Sequence, residues 1–495
     1  MSKINLPRIP TDWHYSKFTE IGQLIRGVSY KKIESSKEPQ ENLYPILRAN
    51  NIQDNKIIFE DFVYVPKDKI NDEQFIKPFD IIIAMSSGSK HLVGKTAQIL
   101  REFTGSFGTF CGLLRINKDI NQKLIGFFFQ SPYYRNTVSN LSKGVNINNL
   151  KRDHIENLII PIPPLNIRNQ IVEKIEELFS KLDFGVINLK KIKAQLIPYR
   201  QSVLVHAFEG EFTKDWREKK NSNKKIVELN SSDLPERPEG WKYLPLEKVI
   251  SKKKNSMRRG PFGSDIKKAF FVETGYKVYE QGNVINKDFN RGNYYIDEEK
   301  FNELKNLEIK PDDILITCAG TIGQVAIVPK NIERGIINQA LLKLTLDRNK
   351  IINKFFIHFF DLKRSELMST GTRGTSMKNL ASVRVLKKMK IPIPPILEQQ
   401  KIVEEIERNF SISNNAEKII NDLIEKANKL RQSILNRAFE GKLINQENDT
   451  IIIDKLSNKV NQIRNNEDTS TNIRKNKDKN NRLKQTNLRD YVKKK

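Results

Sequence analysis

Apolar residues at Ile171, Ile175, Leu178, Leu182, Leu189, Ile192, Leu196, Tyr199 and Val203 recur at spacings of three and four, with only Gly185 missing from the seam. That period predicts a long helix whose a/d stripe faces a coiled-coil partner. A second stripe runs through Ile402, Ile406, Ile420, Leu423, Ala427, Leu430 and Ile434, interrupted by polar Asn409 and Ser413, which can act as register-setting residues. Pro163-Pro164 and Pro394-Pro395 precede the two helices, where a missing N–H costs little, and Gly210 and Gly441 are placed to close them. Pro198 should kink the first helix near its end, where the second has Lys429. At ~1.5 Å per residue, about 45 residues make a rod of roughly 65 Å.

The two helices are copies of one another. Ile160–Pro164 (IPIPP) recurs letter for letter at Ile391–Pro395, an offset of 231 residues. The same offset carries Ile171-Val172-Glu173 onto Ile402-Val403-Glu404, Arg200-Gln201-Ser202 onto Arg431-Gln432-Ser433, and Ala207-Phe208-Glu209-Gly210 onto Ala438-Phe439-Glu440-Gly441. Equal length kept to the residue implies a rigid rod, because loops tolerate insertion and helices in register do not. The segments ahead of each rod correspond more loosely. Leu6-Pro7, Pro10, Trp13 and Tyr15 match Leu234-Pro235, Pro238, Trp241 and Tyr243; Pro78–Gly88 matches Pro311–Gly320; and Gly144 with Asn149-Leu150 matches Gly374 with Asn379-Leu380. A shared frame with drifting loop lengths suits two versions of one module that read different targets.

Composition narrows the class. With 86 Lys+Arg against 59 Asp+Glu the 495-residue chain carries +27, and nucleic acid is the first partner to test. The tail, residues 445–495, holds 13 basic and 7 acidic residues and few apolar ones, so disorder is expected there, yet +21 remains on the body. Residues 213–240 are polar and proline-punctuated and read as a linker. Cys111 and Cys318 lie in different halves and cannot build a disulfide framework, which points to a reducing cytosol. No apolar run approaches the ~20 residues of a membrane span.

A variable module, IPIPP, a long helix ending in AFEG, a second module, and a second IPIPP helix ending in AFEGKL together resemble the specificity subunit of Type I restriction-modification systems, over nearly all of residues 1–443. The Gly260–Phe271 and Tyr279–Asn286 segments also resemble that family's recognition-domain motifs. The resemblance implies an α+β fold with an internal pseudo-twofold repeat: target recognition domains at 1–159 and 241–390, separated by a pair of long antiparallel coiled-coil helices at 160–212 and 391–443, with the linker at 213–240 and a basic tail at 444–495. It further implies that each domain reads half of a bipartite site on double-stranded DNA. The helices would set the spacing and bind two adenine methyltransferase subunits, with restriction subunits able to join. S-adenosylmethionine, ATP and Mg²⁺ are then expected on the partners, with none bound by this chain. In agreement, no adenine-methylase Asn/Asp-Pro-Pro-Tyr/Phe motif and no acceptable Walker A is found: the stretch Gly88–Thr96 has Ser89 where a P-loop needs its first glycine.

Base readout needs Arg, Lys, Asn, Gln, Ser or Thr on exposed loops. The candidates are Arg26, Arg48, Asn50, Asn51, Ser87, Lys90, Asn146 and Asn148 in the first module, and Arg258, Arg259, Ser264, Gln281, Asn283, Thr321, Arg373, Thr375 and Ser376 in the second. Taken singly, each reads more readily as a solvated loop residue or a phosphate contact than as a base reader. Asp80 and Asp312-Asp313, ahead of apolar strands, read as turn residues rather than a nuclease core, and neither cysteine reads as a nucleophile. No catalytic or metal-binding residue is expected. The competing reading is a basic coiled-coil architectural protein that binds DNA without sequence preference.

Overall fold

A computed structural model of the chain describes residues 6–87, 92–141, 148–220, 238–261, 265–369 and 380–444. Two compact units divide it: Met1–Ile192 with Ile419–Lys495, and Lys193–Lys418, so each unit owns a part of both long helices.

Those helices are single elements of 44 residues, Leu165–Phe208 and Ile396–Phe439, each starting directly after its proline pair. Pro198 lies within the first, which nevertheless runs on to Phe208. Gly210 and Gly441 take φ of +80° and +71°, the left-handed conformation that closes a helix with least strain.

Inside Lys193–Lys418 the pairing is antiparallel. Lys193 meets Glu417 at 3.6 Å, Tyr199 donates to Asn409 Oδ1 at 2.9 Å, and Thr213, just past the helix, donates to Glu398 at 2.7 Å, so numbers rise along one partner as they fall along the other. The polar interruptions in the second seam are thus matched: Asn409 by Tyr199, and Ser413 by Arg200, whose Nε donates to its hydroxyl at 2.9 Å. Buried polar groups need such partners, and supplying them from one opposing position favours one register. Inside the other unit, Arg431 places its guanidinium 4.0 Å from the Phe179 ring centroid and donates to Asp183. The expected linker is ordered in its first part: Glu211–Thr213 form a turn and Lys214–Lys220 a short helix. Arg217 from that helix bonds the buried Glu398 at 2.5 Å and the Gly210 carbonyl at 2.7 Å. Local polarity reads as linker because the carboxylate that fixes it is far away in sequence.

Both modules are α+β. The first holds a four-stranded antiparallel sheet in the order Gly22–Arg26, Cys111–Ile116, Ile81–Ala84, Thr96–Gln98; the second repeats it as Met257–Arg259, Leu341–Leu344, Ile314–Thr317, Val325–Ile327. Ile81–Ala84 and Ile314–Thr317 are buried at every residue, which is why they read as nearly continuous apolar runs rather than alternating ones. A second sheet in each module pairs Leu43–Leu47 in parallel with Ser106–Phe107, and Tyr276–Tyr279 in parallel with Gly335–Ile337. The strand at the start of each module, His14–Lys17 or Lys242–Pro245, pairs antiparallel with the IPI segment that leads into its helix. Trp13 and Trp241 are buried beside these strands, in the same clusters as residues of the helices. The modules are therefore rooted in the rods by hydrophobic packing as well as by chain connection.

Candidate nucleic-acid interface

In the first module one tight turn, Gly108–Cys111, gathers the candidate readers. Cys111 N–H closes it on the Gly108 carbonyl at 2.8 Å. Gly108 N–H donates to the Leu47 carbonyl, next to Arg48, and Arg26 pairs with Gly112 across the sheet. Met85 and Ser86 N–H groups both donate to the Phe110 carbonyl, at 2.9 and 3.3 Å. Ser86–Ser87 in turn pair with Asn148–Asn149. Arg26, Arg48, Asn50, Ser87 and Asn148 thus sit on the segments surrounding one turn. Gly27 must be glycine for this: a Cβ there would lie 2.1 Å from the Gly108 carbonyl oxygen.

The second module repeats the arrangement around Asn338–Leu341. Leu341 N–H closes that turn on Asn338 at 3.2 Å, Asn338 N–H donates to Tyr279 next to the Glu280–Asn286 segment, and Cys318 N–H donates to Ala340 at 2.7 Å. Arg259 pairs with Leu342 as Arg26 does with Gly112, and a Cβ on Gly260 would lie 1.8 Å from the Asn338 oxygen. Arg26-Gly27 and Arg259-Gly260 are hence equivalent, each an exposed arginine before a glycine that lets two backbones cross.

Three first-module candidates carry described side chains that reach outward. Arg26 is exposed; Arg48 is half-buried and donates to the Asp61 carbonyl at 2.6 Å and its carboxylate at 2.9 Å; Asn50 is exposed and donates to the same carboxylate at 3.0 Å. Asp61 therefore holds a guanidinium and a carboxamide side by side, the two groups suited to guanine and adenine edges. In the second module Arg258 and Arg259 are exposed, with Arg258 Nε on Asn255 Oδ1 at 3.0 Å; Thr321 is exposed, and Gln281 opens a short helix beside Gly320.

Two candidates are corrected. Asn51 and Asn283 are buried, not loop-exposed. Asn51 Oδ1 accepts from Arg48 N–H at 2.9 Å while its Nδ2 donates to the Ile58 and Glu60 carbonyls. Asn283 repeats the pattern with Glu280 N–H, Asp288 and Arg291. Each carboxamide is consumed in pinning the loop that carries the exposed neighbours. Lys90, Asn146, Ser264, Arg373, Thr375 and Ser376 lie outside the described residues, and of Ser87 and Asn148 only the strand pairing is described.

The acids ahead of the apolar strands do turn work. Asp80 accepts from Lys77 N–H and takes a two-point ion pair from Arg115 at 2.7 and 3.0 Å. Asp313 accepts from Lys310 N–H and the Thr345 hydroxyl, and burial raises its pKa above the ordinary carboxylate value. Burial also pushes the Cys111 thiol up to about 12 and the Cys318 thiol to about 11. Sequence reasoning missed the turn itself, together with exposed Lys32, Lys37 and Phe110 nearby. Setting GTFCGLL beside NQALLKL would have found it.

Two α+β modules of one design, each displaying a different polar set around the same turn and each followed by a rod of equal length, define a duplicated recognition scaffold. The chain belongs to the family described as Type I restriction modification DNA specificity domain, which matches residues 10–195 and 238–426. It is 33% identical to the StySPI specificity subunit of Salmonella potsdam over 92% of this chain and 95% of that one. With the EcoKI specificity subunit of Escherichia coli K12 it shares 30% identity over 89% and 91% of the two chains. In fold it is similar to a chain from a structure of a type I R-M system, with a TM-score of 0.64 and 17% identity, covering 88% of this chain and 100% of that one. The HsdS subunit from Thermoanaerobacter tengcongensis follows at a TM-score of 0.50, 16% identity, and 88% and 98% coverage.

Proposed function

We propose that each module reads one half of a bipartite sequence on double-stranded DNA, and that the paired helices set the gap between the halves. The supporting observation is the repeated turn: its backbone hydrogen bonds recur in both modules while the side chains around it differ, as two readers of unlike sequences require. Two major-groove readers on one face of a duplex must sit about one helical turn, ~34 Å, apart, a distance that a rod of roughly 65 Å is long enough to span. Arg26 and Arg259, exposed at equivalent positions, suit guanine O6/N7 or a phosphate; Arg48 and Asn50 suit base edges.

The chain is non-catalytic in this reading. Two adenine methyltransferase subunits dock on the helices and adjoining surfaces, restriction subunits can join, and S-adenosylmethionine, ATP and Mg²⁺ are bound by those partners. The nonspecific architectural alternative is disfavoured because binding any sequence needs no divergence between modules. Arg258→Ala is expected to relax or weaken one half-site only, by about 1–3 kcal/mol if it contacts a base. Mapping N6-methyladenine in the host genome with and without the variant checks it; equal damage to both halves would contradict the assignment.

A further inference from the structure

Phe110 stands out in the first module. The residue is 68% exposed although its backbone carbonyl is held by two hydrogen bonds. It sits at the tip of the Gly108–Cys111 turn, its carbonyl takes two N–H donors, and the neighbouring Thr109 hydroxyl donates to Val28 at 2.8 Å. Among the described residues no other ring or cation lies against it. In the second module the equivalent position is Ala340, only 7% exposed, on the same backbone hydrogen bond. The aromatic ring is therefore not needed to build the turn. It is an addition to one of two otherwise matching turns.

Beside Phe110 opens a cleft of about 930 Å³, lined by Lys32, Lys37, Arg48, Asn50 and others, with no Asp or Glu among the described residues of its walls. Lys32 and Lys37 are exposed and form no ion pair among the described residues. Its walls mix apolar side chains such as Tyr30, Ala49 and Val63 with the exposed cations Lys32 and Lys37, while Arg48 is held by Asp61; a polyanion that also offers flat π-faces suits that combination beside one projecting ring. Apolar side chains inserted at a base step unstack it, and a ring on a pre-ordered turn loses little freedom on doing so.

We infer that Phe110 is an aromatic wedge that stacks on a base step of the half-site read by the first module, with Lys32 and Lys37 on the adjoining phosphates. The inference rests on the bipartite-reading function proposed above and makes the two half-sites mechanically unlike: one is unstacked, the other, facing Ala340, is not.

The test uses the full chain assembled with its modification subunits and a duplex carrying the motif from a binding selection, with 2-aminopurine placed in turn at each step of both halves. The half belonging to the second module is the one damaged by Arg258→Ala. Apart from the methylated adenine of each half, which a methyltransferase itself swings out of the stack, the unaltered chain is expected to give a fluorescence rise on binding at one step of the other half and at none of the Arg258 half. Phe110→Ala is expected to abolish that rise and weaken binding about tenfold or more, while Phe110→Trp keeps the affinity and gains an indole signal quenched by the duplex. An unchanged melting temperature is expected for both, since the ring is exposed. Phe110→Leu serves if the alanine variant folds poorly, with the rise reduced. An unaltered rise and affinity in Phe110→Ala overturns the wedge while leaving the reading function intact. Loss of subunit assembly with DNA binding unchanged also overturns it, and reassigns the ring to a protein contact. If the unaltered chain selects no two-part motif, the reading function and the wedge fall together.

Discussion

Asn51 and Asn283 show how residue type misleads when burial is unknown. Carboxamides on polar loops were the expected adenine readers, yet both are spent on three backbone partners each. Removing either is expected to leave buried groups unpaired and cost about 1–3 kcal/mol, measured by urea unfolding of Asn51→Ala and Asn283→Ala; unchanged stability would contradict the anchoring role. Nothing local in RANN or EQGN reveals this, because the partners lie up to nine residues further on. His358 is a second residue invisible to sequence. Burial lowers its pKa from 6.5 to about 4 against the pull of Glu407, with Lys354 and Lys287 acting in the same direction as burial. A base whose folded pKa is depressed keeps its full stability above its unfolded pKa and loses it as pH falls toward the folded one. The melting temperature is thus expected to drop between about pH 6.5 and 4, and His358→Gln to show a flatter dependence across that window. An identical slope in the variant would place the acid sensitivity elsewhere.

At the level of elements the rods were legible almost in full, since period and repeat length depend only on which positions are apolar. Their ends were legible too, from the proline pairs and from Gly210 and Gly441. What the pattern could not convey was the clamp beyond the first rod. Arg217 and Glu398 are 181 residues apart, and only the folded chain brings them to 2.5 Å with Glu398 2% exposed. Breaking such a pair strands a buried charge, so Arg217→Ala is expected to cost about 3–5 kcal/mol. Replacing both partners, Arg217→Met with Glu398→Met, is expected to recover most of that loss in a thermal melt. A double variant as unstable as the single one would show that packing around the clamp, rather than the unpaired carboxylate, carries the cost.

For the whole molecule, a net charge of +27 and two divergent modules on an unvarying frame lead to the same expectation: nonspecific attraction to DNA, refined by two independent readings. The frame was visible in sequence because it repeats, whereas the reading surface was visible only as a scatter of polar residues until the shared turn collected them. The spacing role is tested by inserting one heptad into each helix. At ~1.5 Å per residue this adds roughly 10 Å, about three base pairs. The most direct measurement is a binding selection on random duplexes with the unaltered protein and this lengthened one. A two-part motif with a fixed gap is expected, its halves kept and its gap changed by about three base pairs in the longer protein. A single uninterrupted motif, no motif, or a gap indifferent to helix length would contradict the idea that paired rods hold two readers at a set distance.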